Sequence, residues 1–182
     1  MNSKIINIDF AKEKHEYYGN TGVQLYAVKS EKIDGETSIL IDQNTKAIDL
    51  YKLYHDIVIF LSNQVEPFPD ENNRKAYPVF GNPKHTKFIK NKKGKNNDYQ
   101  IVGFLNKEDI EEVGKFFNTN SLEKKENVQQ YFESLKEEVK EELHILLADR
   151  VVWELHGYLE PMVHFFNECI KSESEVVIIA NP

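Results

Sequence analysis

The sequence predicts a single compact domain of mixed α and β structure (α+β or α/β). We expect a mixed sheet of about four strands flanked by helices, arranged as a three-layer sandwich. The chain has 182 residues, the ordinary size of one domain. Segments of alternating apolar and polar residues, typical of strands, are interspersed with segments whose apolar residues recur three and four apart, as in helices. Residues 176–180 are all apolar, which predicts an interior strand buried on both faces.

Strands are predicted at residues 23–29, 36–41, 99–105 and 175–180, where strand-forming residues are frequent. Residues 4–10 also alternate, and predict either a short strand or an ordered arm. The domain organisation that follows is an N-terminal arm over residues 1–22 and one domain over residues 23–182.

Helical periodicity covers residues 49–63, and Thr45 or Asp49 is a candidate N-cap. Asn106 is predicted to cap a second helix, and Ser121 to open a third whose apolar stripe continues to residue 146. The last helix should begin near Pro161, because proline is comfortable only in the first turn.

Residues 64–98 read as a long irregular loop, since they hold four of the six prolines together with many Asn and Lys residues. Within it, residues 77–82 form an apolar island that should anchor the loop to the core. Residues 84–98 should be the most mobile or least buried internal segment, because Phe88 and Ile89 are their only clearly apolar residues.

Charge and cysteine content indicate a soluble, cytoplasmic protein. The net charge is −7, which makes DNA or RNA an unlikely main partner. The single cysteine, Cys169, excludes an internal disulfide, suits a reducing compartment, and lies in an apolar stretch typical of a buried, inert thiol. We find no signal peptide at the N-terminus and no run long enough to cross a membrane.

Several segments together resemble the YfbM-like family, a bacterial family of unknown function. The segments are residues 49–54 (DLYKLY), 78–82 (PVFGN), 101–105 (IVGFL) with the acids that follow, and 158–179. The first of them resembles the start of the first helix of that family. The resemblance covers most of the chain from Val23 onward. It implies a compact α/β sandwich with a mixed sheet, and it implies no activity.

The sharpest chemical pattern is His156, Glu160 and His164, because spacings of four would stack three potential metal ligands on one helical face. Pro161 argues against a helix that extends back through His156, so the alternative is a polar helix start, and no metal site is predicted. Glu154, beside Trp153, is a further weak candidate for acid–base chemistry. Trp153 itself is expected to be largely buried as part of the core.

His55 and Asp56 are adjacent in a predicted helix and therefore point apart, so we interpret them as surface residues or as separate hydrogen-bond partners. The common phosphate-binding, hydrolase, metalloprotease and redox motifs are absent, so no cofactor is predicted. Residues 84–95 contain six lysines and no acid, with aromatic residues nearby. This pattern fits a solvated loop better than a nucleic-acid contact, because the rest of the chain is acidic.

Two functions are compatible with these features. Residues 106–175 contain seventeen acids and eight bases, which favours an interaction module that binds another protein through an acidic helical face. The same acidity is also compatible with a role in solubility alone. The alternative is a small hydrolase or transferase whose site lies between the 64–98 loop and the last helix, where Tyr77, His85, Glu154, His156 and His164 would converge.

Overall fold

The computed structural model describes residues 6–9, 22–33, 36–41, 45–51, 53–66, 74–84, 87–90 and 99–181. The strands in these ranges are β1 (Ile6–Asp9), β2 (Gly22–Val28), β3 (Ser30–Ile33), β4 (Glu36–Ile41), β5 (Ala47–Tyr51), β6 (Lys87–Lys90), β7 (Tyr99–Leu105) and β8 (Glu175–Asn181). The α-helices are α1 (Tyr54–Ser62), α2 (Tyr77–Phe80), α3 (Lys107–Asn120), α4 (Lys125–Glu133), α5 (Glu137–Leu147) and α6 (Val151–Ser172). Short 3-10 turns, Arg74–Ala76 and Ala148–Arg150, precede α2 and α6. The protein is thus a single α+β domain, as predicted.

The main sheet has five strands in the order β5-β2-β8-β7-β6, and a smaller sheet has the order β1-β4-β3. Strand β8 lies between β2 and β7, which confirms the prediction of an interior closing strand. Three of the four predicted strands, β2, β7 and β8, lie in the main sheet, whose edge strands β5 and β6 were not predicted, and the fourth, β4, belongs to the smaller sheet. The pairings in the described residues are antiparallel rather than mixed. Of the predicted N-terminal arm, residues 6–9 form β1, which pairs with β4, Gly22 begins β2, and the rest lies outside the described residues.

One face of the main sheet carries the apolar core. Val23 and Leu25 of β2 and Ile178 of β8 are buried there together with side chains from each described helix. Val177 and Ile179, which point to the opposite face, are equally buried but do not belong to this cluster. The described helices therefore collect on one face, whereas a three-layer sandwich would place helices on both.

Helix α6 runs from residue 151 to 172 with Pro161 in its interior, so the predicted start near that proline is wrong. An internal proline removes one backbone hydrogen bond and costs about 3 kcal/mol. The buried stripe of α6 outweighs that cost, since each fully buried large apolar side chain contributes roughly 1.5–3 kcal/mol. This stripe comprises Val151, Leu155, Leu159, Met162, Val163, Phe165, Phe166 and Cys169.

Strand β5 occupies residues at which a helix was predicted to begin. Ile48 pairs with Leu25 of β2, and the side-chain amide of Gln24 donates to Asp49 across the strands at 3.0 Å. Asp49 is therefore a strand residue, and α1 begins only at Tyr54, after Leu53 at the N-cap. The spacing of the aliphatic residues in β5 is compatible with a helix and with a strand, and the pairing with β2 makes this segment a strand.

The start of α3 is as predicted, but the boundaries of the next two helices are not. Asn106 and Asp109 form a reciprocal capping box with bonds of 2.9 and 3.2 Å. Ser121 ends α3 in a left-handed conformation instead of opening the next helix. The apolar stripe that follows is divided between α4 and α5, and its residues up to Leu143 are buried.

The predicted irregular loop, residues 64–98, contains helical and strand structure. Residues 74–80 form a 3-10 turn and α2, and residues 87–90 form β6 against β7. The apolar island does anchor the segment, because Tyr77 and Val79 are buried in the core. A Cβ added to Gly103 of β7 would lie 2.3 Å from the carbonyl oxygen of Phe80, so only glycine allows this close approach. The expected mobility of residues 84–98 mostly concerns positions outside the described residues.

Candidate functional site

The predicted metal ligands lie on α6, which is continuous through all three positions. Nε2 of His156 lies 3.8 Å from Oε2 of Glu160, whereas His164 is exposed further along the helix. Nε2 of His156 is also 3.1 Å from the backbone carbonyl of Glu123, a contact that ties the turn before α4 to α6. Within the described ranges, no group of three His, Cys, Asp or Glu side chains is arranged to hold a metal ion. His156 therefore makes a structural contact between α6 and the turn before α4.

The described residues of the predicted enzymatic site lie on two different helices, α2 and α6. Tyr77 is buried in α2 and lines a cleft with Arg74, Asp109 and Glu112, and no described residue of α6 lines this cleft. Glu154 and His156 lie on α6, and His85 falls outside the described residues. The Tyr77 cleft is occupied by internal contacts: Arg74 pairs with Glu112 at 2.5 Å.

Lys75 completes this internal network, because its ammonium lies over the rings of Phe116 and Tyr131, at 5.3 and 5.9 Å. Such cation–π contacts hold the 3-10 turn against α3 and α4. Burial raises the pKa of Tyr131 to about 12, and its hydroxyl donates to the carbonyl of Leu61 at 3.2 Å. The cluster is a structural junction with its charges and hydroxyl already engaged.

Asp56 in the first turn of α1 is buried, so its interpretation as a surface residue is wrong. Its pKa is raised, mainly because burial penalises the carboxylate, and the nearby Glu142 of α5 adds to the effect. The neighbouring His55 lowers the pKa in part. Cys169, by contrast, is buried as predicted, and burial raises the pKa of its thiol to about 11. A thiol with that pKa is protonated and unreactive at neutral pH.

A different surface, which we call the α5–α6 corner, has the character of a binding site. It consists of Ile145 and Leu146 at the end of α5 and Trp153 and Gly157 at the start of α6. Ile145 is 79%, Leu146 45% and Trp153 61% exposed. In the described part of the chain they are the exposed large hydrophobic side chains, and the two helices that carry them are in contact. All three side chains flank the connection between α5 and α6, and exposed large apolar side chains close together in the chain are typical of an interaction surface.

The exposure of Trp153 follows from the helical phase of α6, and the prediction of a buried indole is wrong. Val151, Leu155 and Leu159 face the core at intervals of one turn. Trp153 lies half a turn away from this stripe and must therefore face solvent. Sequence reasoning missed it because it placed the helix start ten residues too late.

Gly157 leaves an open backbone surface one turn beyond Trp153. A Cβ added at this position would meet no atom within 4 Å. Its carbonyl cannot receive the usual helical hydrogen bond, because the residue four positions later is Pro161, which has no N–H. The ring of Pro161 lies against this carbonyl instead, as for any proline in a helix interior.

The corner is surrounded by acidic residues. Seven acids against two bases occur between residues 137 and 160. One of the bases, Lys140, is already paired with Glu137 at 3.0 Å. Glu141 and Asp149 are exposed near the apolar side chains, and Glu154 follows Trp153 directly. The surface therefore combines an apolar centre with a rim of negative potential.

Comparisons with family models, with curated proteins and with solved structures gave no match. The resemblance to the YfbM-like family stays a prediction. In the described part of the chain, no helix has both the length and the apolar character required to span a membrane.

Proposed function

We propose that this protein is an interaction module that binds a basic segment of another protein on the α5–α6 corner. The observation that carries the proposal is the 61% exposure of Trp153, beside the exposed Ile145 and Leu146. Tryptophan is enriched among residues that dominate binding energy, since it gains a large apolar contact area while losing little side-chain freedom. An exposed tryptophan at the start of a well-packed helix is held in position before a partner arrives.

The acidic rim defines the chemistry of the partner. A basic segment would be attracted toward the corner by Glu141, Asp149 and Glu154 before its apolar residues dock on Trp153. A second copy of this chain is a poor occupant, because two acidic corners would repel each other.

Titration with two synthetic amphipathic peptides tests this proposal. Both carry the same apolar stripe and no tryptophan, but one is cationic and the other anionic. Trp153 is the only tryptophan of the chain, so its emission reports directly on the corner. We expect the cationic peptide to shift that emission to the blue, with an affinity that falls as salt is added, and the anionic peptide to leave it unchanged.

Variants distinguish the corner from the acidity of the whole protein. With a fluorophore on the peptide, Trp153→Ser and Glu141→Lys should weaken binding at least about tenfold, the loss for about 1.4 kcal/mol. Glu111→Lys reverses an equally exposed charge on α3 and is the matched control. Thermal melts establish that each variant is folded. Equal binding of both peptides, no binding of either, or an unchanged affinity of Trp153→Ser would overturn the proposal, as would a concentration-dependent dimer that Trp153→Ser abolishes.

A further inference from the structure

The connection between α5 and α6 contains a strained residue. Ala148, which follows the last residue of α5, has a φ of 52° and a ψ of −144°. This is the conformation of the first central residue in a type II′ turn, a position that glycine normally occupies because a Cβ is crowded there. Three other described residues with a positive φ, Asn63, Ser121 and Glu173, are in the ordinary left-handed region instead. Such strain persists only where surrounding contacts impose it, and it is typical of switch segments.

The local sequence at this connection favours a helix without a break. Residues 137–156 contain no glycine and no proline, and alanine is the best helix former of all residues. Helix α6 has Arg150 at its N-cap, and among the described residues no side chain caps that end. Arginine is not one of the residues that normally begin a helix. The bend between α5 and α6 must therefore be imposed by contacts elsewhere in the fold.

The packing of α5 against α1 imposes this bend. Val139 and Leu143 are the buried side chains of α5, whereas α6 buries a stripe of eight. Asp56 of α1 opposes the packing, because burial raises the pKa of its carboxyl and Glu142 of α5 raises it further. Two apolar side chains thus hold α5 in place against backbone strain and a buried carboxyl group.

We infer that the α5–α6 connection is a hinge, at which α5 leaves α1 and joins α6 in one continuous helix over residues 137–172. Ala148 then adopts helical dihedral angles, which removes its strain, while Val139 and Leu143 become exposed. Leu146 and Trp153, seven residues apart, come to lie on one face of that helix, about 10.5 Å apart along its axis. The hinge itself does not depend on the function proposed for the α5–α6 corner. Its effect on a partner does, because the hinge sets the spacing of the apolar side chains of that corner.

Thiol labelling of Val139→Cys tests the hinge, with Cys169 of the same chain as the internal reference. Both positions are buried. A thiol at position 139 becomes accessible when α5 leaves α1, whereas Cys169 in α6 stays buried until the core opens. Iodoacetamide labelling is followed by peptide mass spectrometry, and each rate is divided by the rate of the same thiol in urea. We expect position 139 to be labelled at least about tenfold faster than Cys169, and Leu143→Cys to behave in the same way.

Two glycine variants test whether the open form is a continuous helix. Ala148→Gly relieves the strain of the bent form and disfavours the helical one, so labelling at position 139 should slow at least about tenfold, which corresponds to about 1.4 kcal/mol. Arg150→Gly is tolerated at the N-cap of α6 but not in a helix interior, and it should slow labelling about fourfold. Ser121→Gly, at the positive φ that ends α3, is the matched control and should leave the rate at position 139 unchanged.

Three results would overturn the inference. Labelling of position 139 no faster than that of Cys169 would mean that α5 opens only when the whole protein unfolds. Faster labelling in Arg150→Gly would mean that α5 leaves as a disordered segment and does not join α6. An unchanged rate in Ala148→Gly would mean that Ala148 is not the pivot. No partner is present in these measurements, so their failure is distinct from failure of the peptide titration.

Discussion

Replacing Gly157 with alanine should stabilise the protein. Gly157 lies in the interior of α6, where glycine costs about 0.5–1 kcal/mol relative to alanine because it loses more backbone freedom on folding. The added Cβ would meet no atom within 4 Å, so no steric term opposes this gain. For a chain of this size, 1 kcal/mol corresponds to about 2–4 °C in melting temperature. We therefore expect Gly157→Ala to raise the melting temperature by about 1–4 °C.

Two other glycines provide controls with the same chemical change. A Cβ at Gly114, in the interior of α3, would lie 2.4 Å from Cδ1 of Ile170, so the helical gain is opposed by displacement of a packed side chain. A Cβ at Gly103 would lie 2.3 Å from the backbone carbonyl oxygen of Phe80, which cannot move aside. The order of stability should be Gly157→Ala highest and Gly103→Ala lowest, with Gly114→Ala between them because the end of the Ile170 side chain can shift.

Urea unfolding followed by circular dichroism measures all three variants on one scale. The decisive comparison is between Gly157→Ala and wild type. A loss of stability in Gly157→Ala would refute the reasoning, because it would mean that α6 is not helical at residue 157. The helix would then begin near Pro161, as the sequence alone suggested, and the outward orientation of Trp153 would lose its structural basis.

Three further predictions concern other elements. The pKa of Tyr131 is raised in the folded state from 10.0 to about 12. The contribution of its neutral hydroxyl to the free energy of unfolding is therefore complete below pH 10 and is lost as the pH rises through 12. Tyr131→Phe should remove up to about 2–3 kcal/mol of this alkaline loss of stability, measured by urea unfolding at increasing pH. Asp56 also has a raised folded-state pKa, so it favours folding at acidic pH and opposes it at neutral pH. Asp56→Asn should therefore raise the urea midpoint at neutral pH and lose this advantage in acid, and no change at either pH would contradict the raised pKa. Asn106→Ala removes the capping side chain of α3 and should cost about 1 kcal/mol by urea unfolding, whereas an unchanged midpoint would mean that the cap is dispensable.

The sequence predicted those elements whose local signals agree with their tertiary environment. Strand β8 is apolar at each position from residue 176 to 180, and an interior position in the sheet is the place that buries both of its faces. The cap at Asn106 was equally predictable, because a capping box is formed entirely by neighbouring residues. In both cases no distant contact was needed to decide the structure.

Where local signals conflict, tertiary contacts decide the structure, and these contacts cannot be weighed from the sequence. Residues 47–51 satisfy a helical and a strand period, and the pairing of β5 with β2 is a contact between residues 25 positions apart, as in the bond from Gln24 to Asp49. The burial of Asp56 was not predictable for the same reason, because it depends on the packing of α1 against α5. The orientation of the α5–α6 corner depends on both helices and was not predictable from either.

The position of Pro161 inside α6, instead of at its start, determines the orientation of the proposed binding surface. A helix beginning at this proline would have left Trp153 in a connecting segment, free to turn toward the core. Because α6 begins at Val151, Trp153 is exposed together with Gly157, Pro161 and His164 on one stripe of the helix. Gly157 and Pro161 are among the least favourable residues for a helix interior, and exposure deprives them of compensating core contacts. Such an arrangement lowers stability without benefit to the fold, which is typical of residues placed for function. Contact with a partner through the indole, the role proposed for this surface, would explain why α6 turns Trp153 outward on the same stripe.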